Sequence, residues 1–135
     1  MPLLIWNDSF SVHIREFDEH HKKLVKLLNN LFDAVSAKQG CDAVEPILGE
    51  LIDYTRYHFA AEEKLLNKHS YPWIAAQEHE HKELIVKIVD FQKQCKAKKA
   101  MIDLALLNFL KDWLTKHIMG TDKKYSSFLK EKGVS

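Results

Sequence analysis

The sequence predicts an all-α fold, an antiparallel up-down-up-down four-helix bundle with an N-terminal extended arm and a short C-terminal helix. Three observations predict it. Only four glycines and three prolines punctuate 135 residues. Between them apolar residues recur at helical rather than alternating spacing. The stretches so marked are joined by short connections, which favour antiparallel neighbours. A chain of this length makes one domain around a single core, residues 1–135.

Residues 1–17 hold Trp6 and Phe10 without a helical pattern and read as an arm whose aromatics pack on the bundle. The first helix covers residues 18–38: Asp18 is a good N-cap, and Leu24, Leu27, Leu28 and Leu31 form an apolar stripe before the break at Gln39-Gly40. The second, residues 42–68, tolerates Pro46 near its start and turns Ile47, Leu51, Tyr54, Leu65 and Leu66 inward. His69-Ser70-Tyr71 makes a turn, and Pro72 suits the first position of a third helix, residues 72–93, carrying Leu84, Ile85, Ile88, Val89 and Phe91. The lysine-rich stretch 93–99 reads as a solvated loop. A fourth helix, residues 100–118, places Leu106, Leu110, Trp113, Leu114 and His117 on neighbouring turns and stops at Gly120. Residues 122–131, with Tyr125, Phe128 and Leu129, form the short terminal helix that packs back.

Composition narrows the function. Twenty basic against 19 acidic residues leave a formal charge of +1, which makes no electrostatic case for nucleic acid or a membrane surface. The apolar opening Met1 to Trp6 is too short and lacks the basic flank of a signal peptide, and no uncharged apolar run is long enough to span a bilayer. Cys41 and Cys95 lie far apart without a metal-type spacing, so reduced thiols and a cytoplasmic setting are expected. Eight histidines in 135 residues direct attention to metal chemistry.

His58 and Glu62 are four apart, so a helix stacks them on one face. His117 and Asp122 lie five apart across Gly120, where a loosened last turn can swing the carboxylate back toward the imidazole. His21 lies near the start of the first helix and His81 in the third. Each helix thus offers a nitrogen near its inward stripe, and two carboxylates join them. Two metal ions held close together need anionic bridges to offset their repulsion, with imidazoles on the outer positions. Such a set suits a pair of iron or manganese ions better than one zinc, which would favour closely spaced cysteines. Taken singly, a histidine near an apolar face is more often a hydrogen-bonded boundary residue. On that reading His13, His20, His69 and His79 are solvated or packing residues, Phe59, Phe109 and Trp113 are core first, and Glu63 is a surface residue or a neighbour of the ligands.

In order and spacing, Asp18-Glu19-His20-His21-Lys22-Lys23-Leu24, His58-Phe59-Ala60-Ala61-Glu62-Glu63, Tyr71-Pro72 with Glu80-His81, and Trp113-Leu114-Thr115-Lys116-His117-Ile118-Met119-Gly120-Thr121-Asp122 resemble the hemerythrin family, specifically its single-domain bacterial members. The resemblance implies two non-haem iron ions with an oxo or hydroxo bridge. His21 and His58 would serve one iron and His81 and His117 the other, with Glu62 and Asp122 bridging. It implies reversible dioxygen binding in a dry pocket lined by Leu114, Trp113 and Phe59. The family pattern has a fifth histidine where this chain has Gln77. Its place falls to the glutamine oxygen, to water, or to His79, which lies about 200° round a regular helix from His81.

The resulting expectation is a non-enzymatic, monomeric oxygen carrier or store that supplies an oxygen-consuming enzyme. A ferritin-like di-iron oxidase or peroxidase would use Asp18-x-x-His21 and Glu78-x-x-His81, but leaves His58 and His117 without work. A sensing module would need an output domain, and the sequence stops soon after the bundle, which favours a stand-alone binder.

Overall fold

The structure, a computed structural model, describes residues 3–37, 40–96 and 104–135. Its described helices are α1 (Arg15–Ser36), α2 (Cys41–Lys68), α3 (Ile74–Lys96), α4 (Leu104–Lys116) and α5 (Lys123–Glu131), with a 3-10 turn at Asp8–Phe10 and a π-helical turn at His117–Asp122. The first four form the bundle, antiparallel in sequence order: α2 packs chiefly against α1 and α3, and α4 closes against α1. Leu24, Leu27, Leu28 and Leu31 of α1 are buried, as their spacing predicts, against Leu48, Leu51 and Ile52 of α2, Leu84 and Ile88 of α3, and Leu107 and Leu110 of α4. Each such side chain contributes about 1.5–3 kcal/mol by leaving water.

α1 begins three residues earlier than Asp18, after Ile14, which offers no side-chain cap. The Asp18 carboxylate instead accepts the Val12 backbone N–H at 2.8 Å and the Ser11 hydroxyl at 2.6 Å, fastening the arm to the helix. The arm also docks through Asn29, which accepts the Leu4 N–H at 3.0 Å and donates to the Leu4 carbonyl at 2.8 Å. Phe10, Val12, Ile14 and Phe17 are buried. Residues 15–17, expected in the arm, are therefore helical.

Helix α3 starts at Ile74, because Tyr71, Pro72 and Trp73 form a turn first, and it continues to Lys96 through part of the stretch expected to be a loop. Of the expected inward residues, Leu84 and Ile88 are buried, whereas Ile85, Val89 and Phe91 are half-buried. Phe109, expected in the core, is exposed and lies beside the Lys87 ammonium. The expected boundaries at residues 38 and 100 and the stretch 97–99 lie outside the described residues.

Gly120 does not end the fourth helix: the chain widens into a π turn and runs on into α5. Five residues along an α-helix turn the side chain about 140° away, whereas i to i+5 spacing in a π turn returns it to the same face, as burying both His117 and Asp122 requires. The cysteines are not free thiols. Cys41, first in α2, and Cys95, near the end of α3, form a disulfide with Cα atoms 5.6 Å apart. Antiparallel packing brings together ends that are 54 residues apart in sequence. The cytoplasmic setting loses the support that reduced thiols would have lent it. Among the described residues no helix is long and apolar enough to cross a membrane.

Candidate metal centre

Near the end of the bundle opposite the disulfide, α1 supplies His21, α2 supplies His58 and Glu62 one turn apart, α3 supplies His81, and the π turn supplies His117 and Asp122. All six are buried, and the two carboxylates are 0% exposed. Their donor atoms form two groups, each within 4.8 Å: His21, His58, Glu62 and Asp122, and Glu62, His81, His117 and Asp122. Both carboxylates belong to both groups. The sequence-predicted donors thus converge, and His13 and His79 stand apart on the surface. His79 pairs with Glu83 at 3.5 Å on the outer side of α3, so it cannot take the place beside Gln77.

The spacing within the cluster is that of ligands around ions. Neighbouring corners of an octahedron with bonds of about 2.1 Å lie about 3 Å apart. The Glu62 Oε1 atom is 3.2 Å from Nε2 of both His58 and His81. Asp122 Oδ1 is 3.1 Å from His117 Nε2, and Asp122 Oδ2 is 3.2 Å from His21 Nε2. Yet His21 Nε2, His58 Nε2, Glu62 Oε1 and Asp122 Oδ2 have no hydrogen-bond partner, although each is fully buried. An orphaned buried polar atom costs about 1–3 kcal/mol, and four in one place call for an occupant. Two hard-to-borderline cations meet that demand, because nitrogen and carboxylate donors surround each position and the shared negative charges screen one ion from the other.

What stands behind the imidazoles fixes which nitrogen faces inward. Glu63 lies 3.2 Å from His81 Nδ1 and Glu80 lies 3.2 Å from His117 Nδ1. An ionised carboxylate only accepts, so both imidazoles carry hydrogen on Nδ1 and aim Nε2 at the centre. Those two Nε2 atoms face each other at 3.2 Å, an arrangement that a shared cation stabilises. Thr121 donates its hydroxyl to Glu80 at 2.8 Å and steadies it. The Phe59 ring lies flat on His81, with centroids 3.7 Å apart and planes at 4°, and Trp113 stacks on His117 at 4.4 Å. His20 Nδ1 is 2.8 Å from His58 Nδ1, and Glu16 lies 3.8 Å beyond it at the surface. The Tyr125 hydroxyl, fully buried, donates to Glu62 Oε2.

Protonation follows the same geometry. Burial disfavours charge on His21, but Asp122 and Glu62 beside it raise its pKa from 6.5 to about 9. His117 is likewise penalised by burial and yet raised by Asp122 and Glu80 to about 10. Burial opposes ionisation of Glu62, but His58, His21 and His81 hold its carboxyl well below the usual range. Burial pushes His58 down. Burial and Glu62 push the Tyr125 hydroxyl well above 10, so it stays a donor. His21 and His117 therefore carry protons at neutral pH in the absence of an ion, and a cation arriving there displaces them.

Gln77 is 1% exposed and lies in the cluster, with its amide nitrogen 2.6 Å from Asp122 Oδ1 and 3.3 Å from His81 Nε2. Its Oε1 has no partner. One turn further into the bundle an apolar cavity of about 30 Å³ is lined by Leu114 and Phe59 together with Leu24, Leu28, Leu51, Thr55, Leu84, Ile88 and Leu110. That exceeds the roughly 10–15 Å³ one water needs, but the apolar walls offer water few polar partners. Trp113, expected in its wall, stacks on His117 instead.

The sequence did not mark Glu80, Tyr125 or His20 as neighbours of the ligands: His20 was expected to be solvated or packing, and Tyr125 to pack back on the bundle. Glu80 precedes His81 and Tyr125 follows Asp122 by three, so each had a positional signal, but only packing shows that they face the cluster.

Residues 12–129 match the hemerythrin HHE cation binding domain. The chain is 33% identical to the bacteriohemerythrin of Stenotrophomonas maltophilia, over 96% of this chain and 84% of that protein. It is 32% identical to the bacteriohemerythrin of Methylococcus capsulatus, over 96% and 98%. With the myohemerythrin of Riftia pachyptila it shares 33% identity over 93% and 92%. In backbone it is similar to a wild-type hemerythrin crystal structure, with a TM-score of 0.87 at 32% identity, covering 93% of this chain and 96% of that one. A leucine-to-tyrosine variant of hemerythrin gives 0.89 at 31% identity, covering 94% and 97%. With the bundle, the doubled donor set and these likenesses in agreement, the chain belongs to the hemerythrin family.

Proposed function

We propose that this protein binds dioxygen reversibly at two non-haem iron ions and serves as a monomeric, non-enzymatic store or carrier that supplies an oxygen-consuming enzyme. One observation carries the reading: two buried four-donor groups share Glu62 and Asp122 and lie beside an apolar cavity. His21 and His58 would hold one iron, His81 and His117 the other, with both carboxylates and an oxo or hydroxo group between them. Such a pair, when bound, supplies the electrons that reversible dioxygen capture needs.

The chain's own residues do the rest. Glu63 and Glu80 keep hydrogen on Nδ1 of His81 and His117, which fixes ring orientation and raises the basicity of Nε2. Tyr125 holds Glu62 from behind, so the carboxylate does not swing when charge in the centre changes. Leu114, Phe59 and the leucines of the cavity exclude water, which would otherwise carry protons in and make capture irreversible.

The test is anaerobic loading with ferrous iron, exposure to oxygen and then deoxygenation, followed by visible absorption. The expected result is a charge-transfer band that appears and disappears over repeated cycles. A single passage to a ferric form that does not return oxygen would point to the oxidase reading instead.

A further inference from the structure

We propose that the side-chain carbonyl oxygen of Gln77 is a fifth donor to the half of the centre made by Glu62, His81, His117 and Asp122, leaving only the His21/His58 half open to a small anion. This rests on the dinuclear reading above and goes beyond it by making the two halves unequal.

The terminal amide of Gln77 already stands at a ligand position. Its inward atom is 2.6 Å from Asp122 Oδ1 and 3.3 Å from His81 Nε2, bracketing the roughly 3 Å edge expected between neighbouring donors of one ion. The side chain is 1% exposed, so a water ligand would have to displace it from a filled place. The inward atom is now nitrogen, donating to Asp122 Oδ1, while the carbonyl oxygen is buried without a partner. Once the lone pairs of Asp122 Oδ1 and the imidazoles serve a cation, an N–H aimed at the same point meets positive charge. A half-turn about the last side-chain torsion exchanges two atoms of nearly equal size, costs no packing, and presents the orphaned oxygen to the ion.

The coordination count then differs between the halves. An octahedral ion has six positions. Five protein donors and one bridging oxygen fill the Gln77 half. On the other side His21, His58, Glu62, Asp122 and the bridge leave one position for an exogenous ligand. Were Gln77 to stay on Asp122, both halves would be open.

Azide titration of the diferric protein, followed by absorption, distinguishes these cases. Wild type is expected to bind one azide per centre, Gln77→His one, and Gln77→Leu two. Gln77→Asn, which keeps the polarity but is one methylene too short to reach, also binds two and carries the test if the leucine variant misfolds. Loss of one iron from a folded Gln77→Asn chain would equally indicate ligation. Two azides on the wild type, or one on wild type and both shortened or apolar variants with iron retained, overturns the proposal while leaving the dinuclear reading intact. A wild-type chain that takes up no pair of irons overturns both.

Discussion

The two halves of the cluster share Glu62 and Asp122 but are supported differently. In the half built from α3 and the π turn, each imidazole is gripped on both sides: Glu63 and Glu80 accept from Nδ1, and Phe59 and Trp113 lie flat against the rings. In the half built from α1 and α2, His58 backs onto another imidazole, His20, while Nδ1 of His21 has no partner. Phe17 meets His58 only edge-on, at 5.8 Å and 85°. A carboxylate behind an imidazole makes it a stronger donor than a neutral partner does. The α3 half is therefore the more firmly held one and the α1 half the more adaptable, and with Gln77 ligating as proposed the exchangeable ligand falls on the α1 side.

The largest effect comes from a donor the halves have in common. Asp122→Asn removes a shared charge, and metal analysis should fall from about two irons per chain to well below one; retention of the pair would break the comparison at its root. Next is the outer carboxylate. Glu80→Gln should weaken uptake of one ion about 10–100-fold while leaving the other near its original affinity, and His20→Gln should cost less, as stepwise metal titration would show. Equal losses from the two substitutions would erase the proposed asymmetry.

A pH effect of intermediate size separates the metal-free from the loaded state. The folded pKa values of His21 and His117, about 9 and about 10, lie above the ordinary 6.5. Their stabilising contribution is therefore complete below pH 6.5 and lost as pH rises through 9 to 10. Thermal midpoints of the chelated protein should decline over that interval, and the decline should shrink in the iron-loaded protein, whose imidazoles are already deprotonated. Equal alkaline declines with and without iron would contradict the displacement of protons by metal.

The smallest effect on the centre is expected from the far end. Reducing Cys41–Cys95 opens a loop of 54 residues, worth about 4 kcal/mol in the chain-entropy model, so the denaturation midpoint should drop. Iron content should not change, since the donors lie at the opposite end of the bundle; loss of iron on reduction would couple the two ends.

The residues most legible in the sequence were those whose relation is local. Helical periodicity gave the bundle, and the i to i+4 spacing of His58 and Glu62 placed both on one face of α2. His117 and Asp122 were legible as partners by their spacing, but the means was not: Gly120 looks like a stop signal, and only the demand of two buried donors explains a π turn there. Contacts set by the register between helices left little trace. Cys41 and Cys95, His20 and His58, and Tyr125 and Glu62 are separated by 38 to 63 residues, and no local pattern reports that they meet. Asp18 misled because a side chain suited to capping a helix also caps an arm, and the arm supplies the better donors in Ser11 and Val12.

The most direct test of the central claim is anomalous diffraction at the iron edge from crystals of the loaded protein. Two peaks about 3.5 Å apart, flanked by Glu62 and Asp122 with His21 and His58 on one side and His81 and His117 on the other, are the predicted result. A single peak, or metal bound only at surface histidines such as His79, would contradict it.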